Sequence, residues 1–190
     1  MRQIIEDEAS DDIGSPCSCG NGIRTTRCRD CTQYQLSCSH CFLKAHKCMP
    51  FHWAYVWDDK LGFFERKDFS AIGGTIYLGH NGDDCPNPSP EMHFTVATTN
   101  GIHATLLRYC QCIGGPRSVL KRQLMKARLF PGTMRDPRTA FTFSLLKNFH
   151  LHNLESKKAA YDYLGAITRL TDNVCTADVP VSLALSTPQK

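Results

Sequence analysis

The sequence contains no apolar run approaching the roughly 20 residues needed to span a bilayer, so a soluble chain is expected. Residues 1–12 (MRQIIEDEASDD) are acidic and lack the apolar stretch a secretory leader needs, so a secreted chain is not expected. There is no internal repeat, and no compact Lys/Arg tract serves as a nuclear import signal. An even cysteine count, which a closed disulfide framework needs, is absent too. The eleven cysteines are odd in number and interleaved with histidines. Disulfides do not require that interleaving, whereas in a reducing compartment clustered Cys/His reads as zinc.

Apolar residues make up 42% of the chain, too many for wholesale disorder, so a folded body is expected. Six cysteines fall between Cys17 and Cys41. In order, the ligand candidates are Cys17-x-Cys19, Cys28-x2-Cys31, Cys38-x2-Cys41, His46 and His52. A Cys-x2-Cys knuckle turns two thiolates towards one tetrahedral ion, and eight ligands complete two such sites. In a cross-brace, alternate pairs share an ion. That puts Cys17, Cys19, Cys38 and Cys41 on one zinc and Cys28, Cys31, His46 and His52 on the other. His40 and Cys48 sit beside ligands without an open slot.

Residues 17–58 resemble a B-box finger, departing from it in the one-residue gap of the first pair. B-boxes mostly mediate protein contacts, and the strip Trp53–Phe64 could present an apolar face to a partner. The competing reading makes those aromatics the core of the finger and its neighbour.

A second cluster draws on Cys85, Cys110 and Cys112, completed by His80 or His103. His80, five residues before Cys85 on the glycine-containing loop 78–82, is the better placed. His93, His150 and His152 read as ordinary surface or core histidines. A hydrolytic zinc enzyme is disfavoured: catalytic zinc keeps an open position with a general base nearby. The first cluster has no vacancy, and no His-x-Glu motif accompanies the second.

The expected fold is a small zinc-stabilised α+β protein. Its parts are a disordered acidic tail (1–14), a B-box-like two-zinc finger (15–66), a second β-rich cysteine/histidine module (67–115), a basic connector (116–138), a helical segment (139–173) and a disordered tail (174–190). Alternating residues predict a hairpin from Trp53–Trp57 into Phe63 and Phe64, and another around Asn100-Gly101. Helical spacing predicts one helix opening near Asp136-Pro137-Arg138-Thr139 and a second from Ser156 to about Leu170. Net charge is only +4, but Arg117, Lys121, Arg122, Lys126, Arg128, Arg135 and Arg138 face a single acid, Asp136, within 117–138. That run is a candidate for phosphate contact, although its spacing describes no single face.

A longer pattern combines Leu78-Gly79-His80-x4-Cys85-Pro86, Gly101-Ile102-His103, Cys110-x-Cys112 and Gln123-Leu124-Met125. Phe130-Pro131-Gly132-Thr133, Thr139-Ala140-Phe141-Thr142-Phe143 and Thr171-Asp172-Asn173 follow. Their order and spacing resemble the CxC-type cysteine cluster found before the catalytic domain of KDZ (Kyakuja-Dileera-Zisupton) transposases, abundant in mushroom-forming fungi. The resemblance implies a nuclear, zinc-chelating, non-catalytic module assisting DNA recognition or transposase assembly. It also implies DNA or the transposase catalytic domain as partner, with no membrane and no small-molecule substrate. The transposase's metal-binding carboxylates would follow this segment, so a fragment or a degenerate element copy is expected.

Overall fold

The computed structural model describes residues 12–32, 35–112 and 116–179; of the expected tails 1–14 and 174–190, residues 1–11 and 180–190 lie outside them, as does the Gly114-Gly115 break, whereas Val179 is buried against the second unit's core. The chain divides into two compact units, Met1–Thr75 and Ile76–Lys190.

The first unit is a three-stranded antiparallel sheet, β1 (Thr26–Cys28), β2 (Ala54–Asp58) and β3 (Phe63–Lys67), in that spatial order. The β2–β3 turn is held by Asp58, whose side chain accepts hydrogen bonds from the backbone N–H groups of Lys60 (2.8 Å) and Leu61 (3.0 Å). Because side chains alternate across a strand, Cys28 and Ala54 share one face. That face packs with Phe42 and Phe69 into a small core, edged by Val56. Phe42 comes from α1 (Ser39–Ala45), a helix the sequence reading did not anticipate.

The second unit is a five-stranded mixed sheet in the order β4-β6-β5-β8-β7. Its strands are β4 (Ile76–Leu78), β5 (Met92–Thr98), β6 (Gly101–Tyr109), β7 (Leu129–Pro131) and β8 (Thr139–Thr142). Strand pairing places Leu78, Phe94, Val96, Leu107, Leu129 and Ala140 on one face, all of them buried. Helix α2 (Pro116–Lys126) packs on β7 and β6 and buries Val119, Leu120 and Leu124. On the other face Ala97, Ile102 and Phe141 meet Leu145 of α3 (Phe143–Ser156) and Tyr163 and Ile167 of α4 (Ala160–Thr171).

The hairpin expected around Asn100-Gly101 forms from β5 and β6, with Gly101 already paired to Thr98. The Asn100 side chain is bonded to Thr98 and His103 within that hairpin. The two helix starts differ from expectation. No helix opens at Asp136, because Thr139–Thr142 joins the sheet between β5 and β7. The helix starts only at Phe143, where the Thr142 hydroxyl accepts the Leu145 N–H. Ser156 closes α3 instead of opening α4, since Lys157 takes a left-handed φ of 51°. The stretch read as a basic connector contains α2 and β7.

Candidate metal centres

Among the described residues, nine cysteines and three histidines gather into three groups of four. Within each, the potential ligand atoms lie within 4.8 Å of one another. The groups are Cys17, Cys19, Cys38 and Cys41; Cys28, Cys31, His46 and His52; and His80, Cys85, Cys110 and Cys112.

In the first group the Cys17–Cys41 and Cys19–Cys38 sulfurs are 3.9 and 3.6 Å apart. A disulfide would bring them to about 2.05 Å. Four thiolates about 2.3 Å from one ion would stand about 3.8 Å apart along the tetrahedral edges. The spacing fits an ion. The first pair sits on a turn closed by hydrogen bonds from Cys17 N–H to Gly22 O (2.8 Å) and from Gly20 N–H to Cys17 O (2.9 Å). Gly20 has φ +72°, a conformation that glycine adopts without strain. Cys38 caps α1 and Cys41 lies three residues on, so both thiols rise from the same end of the helix.

The second group takes ligands from the other end of α1. His46 is its C-cap, Cys28 ends β1, and His52 directly precedes the segment entering β2. The Cys31 sulfur is 3.4 Å from both His46 Nε2 and His52 Nδ1, and the Cys28 sulfur is 3.6 Å from His52 Nδ1. The His46 Nδ1–H donates to the Phe42 carbonyl at 3.0 Å, which leaves Nε2 as the lone-pair nitrogen facing the sulfurs. Asp30, inside the Cys28–Cys31 knuckle, accepts the Trp53 N–H at 2.8 Å and ties the knuckle to the residue after His52. Alternate ligand pairs are therefore neighbours in space, and α1 contributes to both groups.

The third group is assembled by strand pairing. Parallel pairing of β4 with β6 sets Leu78 opposite Tyr109, which carries His80 to Cys110; Nε2 and Sγ are 3.2 Å apart. The loop before β5 runs antiparallel to the end of β6 through a bridge between Pro88 and Cys110 and a Gln111 N–H to Asn87 O hydrogen bond of 2.9 Å. That brings Cys85 to 3.5 Å from Cys112. Cys112 is also 3.6 Å from His80 Nε2. Gln123 of α2 clamps Cys110 from both sides: its Oε1 accepts the Cys110 N–H at 2.9 Å, and its Nε2 donates to the Cys110 carbonyl at 2.8 Å. A Cβ on Gly79 would lie 2.8 Å from the Cys110 Cβ, so the approach of the His80 loop depends on that glycine. His103 is not in this group; it is 1% exposed, with Nε2 3.1 Å from Asn100 Oδ1. Cys48 stands outside all three groups.

The crowded thiols perturb one another. Hydrogen bonds from the backbone N–H groups of Cys19 and Cys38 draw Cys17 down to about 6. Burial is the main cause that pushes Cys28 up to about 11. Hydrogen bonding to the Cys19 and Cys38 side chains raises Cys41 to about 12, and hydrogen bonding to Cys110 and Cys85 raises Cys112 to about 11. Several thiols sharing protons in one place are a poor resting state, and a divalent cation relieves it.

Of the basic run, Arg122, Lys126, Arg128, Arg135 and Arg138 are exposed and Lys121 is half-buried; the Arg117 side chain lies outside the described atoms. They are divided among α2, the turn after it and the loop between β7 and β8. Sequence reading missed Gln123 and Asp30 as supports, because each acts through backbone groups that only the fold brings near.

The fold and its donor groups define a mixed α+β protein with three Cys/His clusters that could hold metal ions. Residues 69–175 match the family model described as a CxC2 like cysteine cluster associated with KDZ transposases, and the chain belongs to that family. No curated protein and no solved structure matches it. Among the described residues, no helix is long and apolar enough to cross a membrane.

Proposed function

We propose that the chain is a non-catalytic, zinc-binding accessory module of a KDZ-type transposase, assisting DNA recognition. The observation that carries the zinc reading is the donor geometry: four nitrogen and sulfur atoms per group, at separations close to tetrahedral edges, in each of three groups. In the first unit the ligands would form a B-box-like cross-brace, with Cys17, Cys19, Cys38 and Cys41 on one ion and Cys28, Cys31, His46 and His52 on the next. His80, Cys85, Cys110 and Cys112 would hold a third. Each set is filled by protein ligands, which is the arrangement of a structural zinc and leaves no position for substrate. Magnitudes favour a folding role. Burying a large side chain such as Phe42 contributes about 1.5–3 kcal/mol, whereas a structural zinc in a finger peptide contributes about 10–16 kcal/mol.

Native mass spectrometry of the intact chain tests this reading. Three zincs are expected, two would remove the third site, and none would overturn the proposal. The DNA role rests on the family association and on exposed cations such as Arg122, Lys126 and Arg138; it implies a nuclear setting. Binding should weaken steeply as salt rises. A second reading, a protein-contact module, draws on the large apolar side chains that α3 and α4 leave exposed, Leu151, Leu154 and Tyr161 among them. Absence of DNA binding at low salt would favour it.

A further inference from the structure

The three donor groups differ in how much of the fold hangs on them. In the first unit the core cluster is Cys28, Phe42, Ala54 and Phe69. Cys28 is itself a candidate ligand, and Phe42 stands on a seven-residue helix that contributes to both groups. A helix that short does not hold by itself in water. Both groups also keep two of their four residues buried, Cys17 and Cys38 in one, Cys28 and His46 in the other.

The third group is more open and less needed. His80 and Cys112 are exposed and Cys85 is half-buried. The second unit seals Val96, Ile102, Leu107, Leu124, Ala140 and Leu145 from solvent, and none of them belongs to a donor group. Their burial stabilises the sheet with or without an ion. The backbone beneath the site is tied without metal as well: β4 pairs with β6, Pro88 bridges Cys110, and Gln123 holds Cys110 while its neighbour Leu124 is buried. Loss of an ion here would leave the sheet standing.

Within the third group, Cys85 and Cys112 are the pair best placed to join. Their sulfurs are 3.5 Å apart and would close to about 2.05 Å in a disulfide. Cys85 lies on the loop before β5 and Cys112 beyond the end of β6, so neither is fixed within a strand. Cys110 is less able to move, being held at both its N–H and its carbonyl by Gln123. In the first unit the exposed Cys19 stands 3.6 Å from Cys38, but Cys38 is buried and caps α1.

We infer that the His80/Cys85/Cys110/Cys112 centre is a redox-releasable zinc site, in which a peroxide joins Cys85 to Cys112 and discharges the ion while the sheet stays folded. The exposed Cys112 thiolate attacks hydrogen peroxide; the O–O bond breaks, a sulfenic acid forms, and the departing hydroxide takes a proton to become water. The Cys85 thiolate then attacks that sulfur, the S–O bond breaks, and a second hydroxide leaves as water. Two thiolates have lost one electron each, and one peroxide with two protons has become two waters. His80 and Cys110 remain, too few donors for tetrahedral zinc. The inference rests on the zinc reading above.

Native mass spectrometry of the zinc-loaded chain under limiting hydrogen peroxide tests it. The three-zinc species should give way to a two-zinc species lighter by two hydrogens than its thiol form. Peptide mapping should place the disulfide between Cys85 and Cys112. Hydrogen exchange should show protection persisting in β5, β6 and residues 17–58, and dithiothreitol with added zinc should restore the third ion. A Cys85→Ala/Cys112→Ala variant should carry two ions from the start, keep β5 and β6 protected, and release zinc to peroxide about tenfold more slowly. Earlier loss of a first-unit ion, a Cys19–Cys38 disulfide in place of Cys85–Cys112, or collapse of β5–β6 protection as the third ion departs overturns the inference and leaves the zinc reading standing. Fewer than three ions before peroxide is added removes the third zinc and the inference together.

Discussion

Gln123 does more for the third cluster than its distance in sequence suggests. With the oxygen and the nitrogen of its side-chain amide both on the Cys110 backbone, it fixes the strand end from which two of the four candidate ligands project. Gln123→Ala should lower affinity for the third metal about 10- to 100-fold, the usual effect of removing an outer support. Native mass spectrometry at limiting zinc should then show two ions where the wild type shows three. Gly79→Ala should act in the same direction, because a methyl group must enter the space of the Cys110 side chain at a φ of +86°. At this scale the three Cys/His groupings were legible from their spacing. The supports were not: Asp30 and Gln123 work through backbone N–H and C=O groups, which carry no signature in sequence. Strand register separates the two histidine candidates: His80 stands beside Cys110 and Cys112, while β6 turns His103 into the buried face with Val96 and Phe94.

At the scale of the element, α3 depends on a single cap. Thr142→Ala removes the acceptor for the Leu145 N–H at the point where a strand becomes a helix. A loss of about 1 kcal/mol is expected, visible as a lower denaturation midpoint with little change in zinc count. The helix prediction failed at this junction for a physical reason. Phe141, Leu145, Leu146 and Phe149 do recur at helical spacing, but Thr139–Thr142 gains a ladder with both β5 and β7. Tertiary pairing outweighed the local period. Lys157, positioned between α3 and α4 with left-handed φ, interrupted a second pattern that read as continuous from Ser156. The β2–β3 hairpin was readable because its turn signal is local. Asp58, Lys60 and Leu61 settle it within four residues.

For the whole molecule, metal and fold should be inseparable in the first unit. Chelation is expected to abolish amide protection across residues 17–58, measured by hydrogen exchange; persistent protection there would show that the small core suffices without zinc. Loading should also release protons. Cys28, Cys41 and Cys112, raised to about 11, 12 and 11, are protonated at neutral pH and must give up those protons as they ligate. Cys17, drawn down to about 6, is already a thiolate. Falling pH therefore opposes binding, and calorimetry in buffers of different ionisation enthalpy should report net proton release that scales with the zinc bound.

The nesting of ligands also orders events in time. Both ligand sets of the first unit are complete once His52 has been synthesised, while the third awaits Cys112. Within the second unit, β4 waits for β6, and β5 gains its outer neighbour only when β8 appears. On the zinc reading, the first unit would take up both ions and close as the chain leaves the ribosome, while most of the second is still unmade. Its six clustered cysteines would thereby be withdrawn from oxidation and mispairing before Cys85, Cys110 and Cys112 emerge.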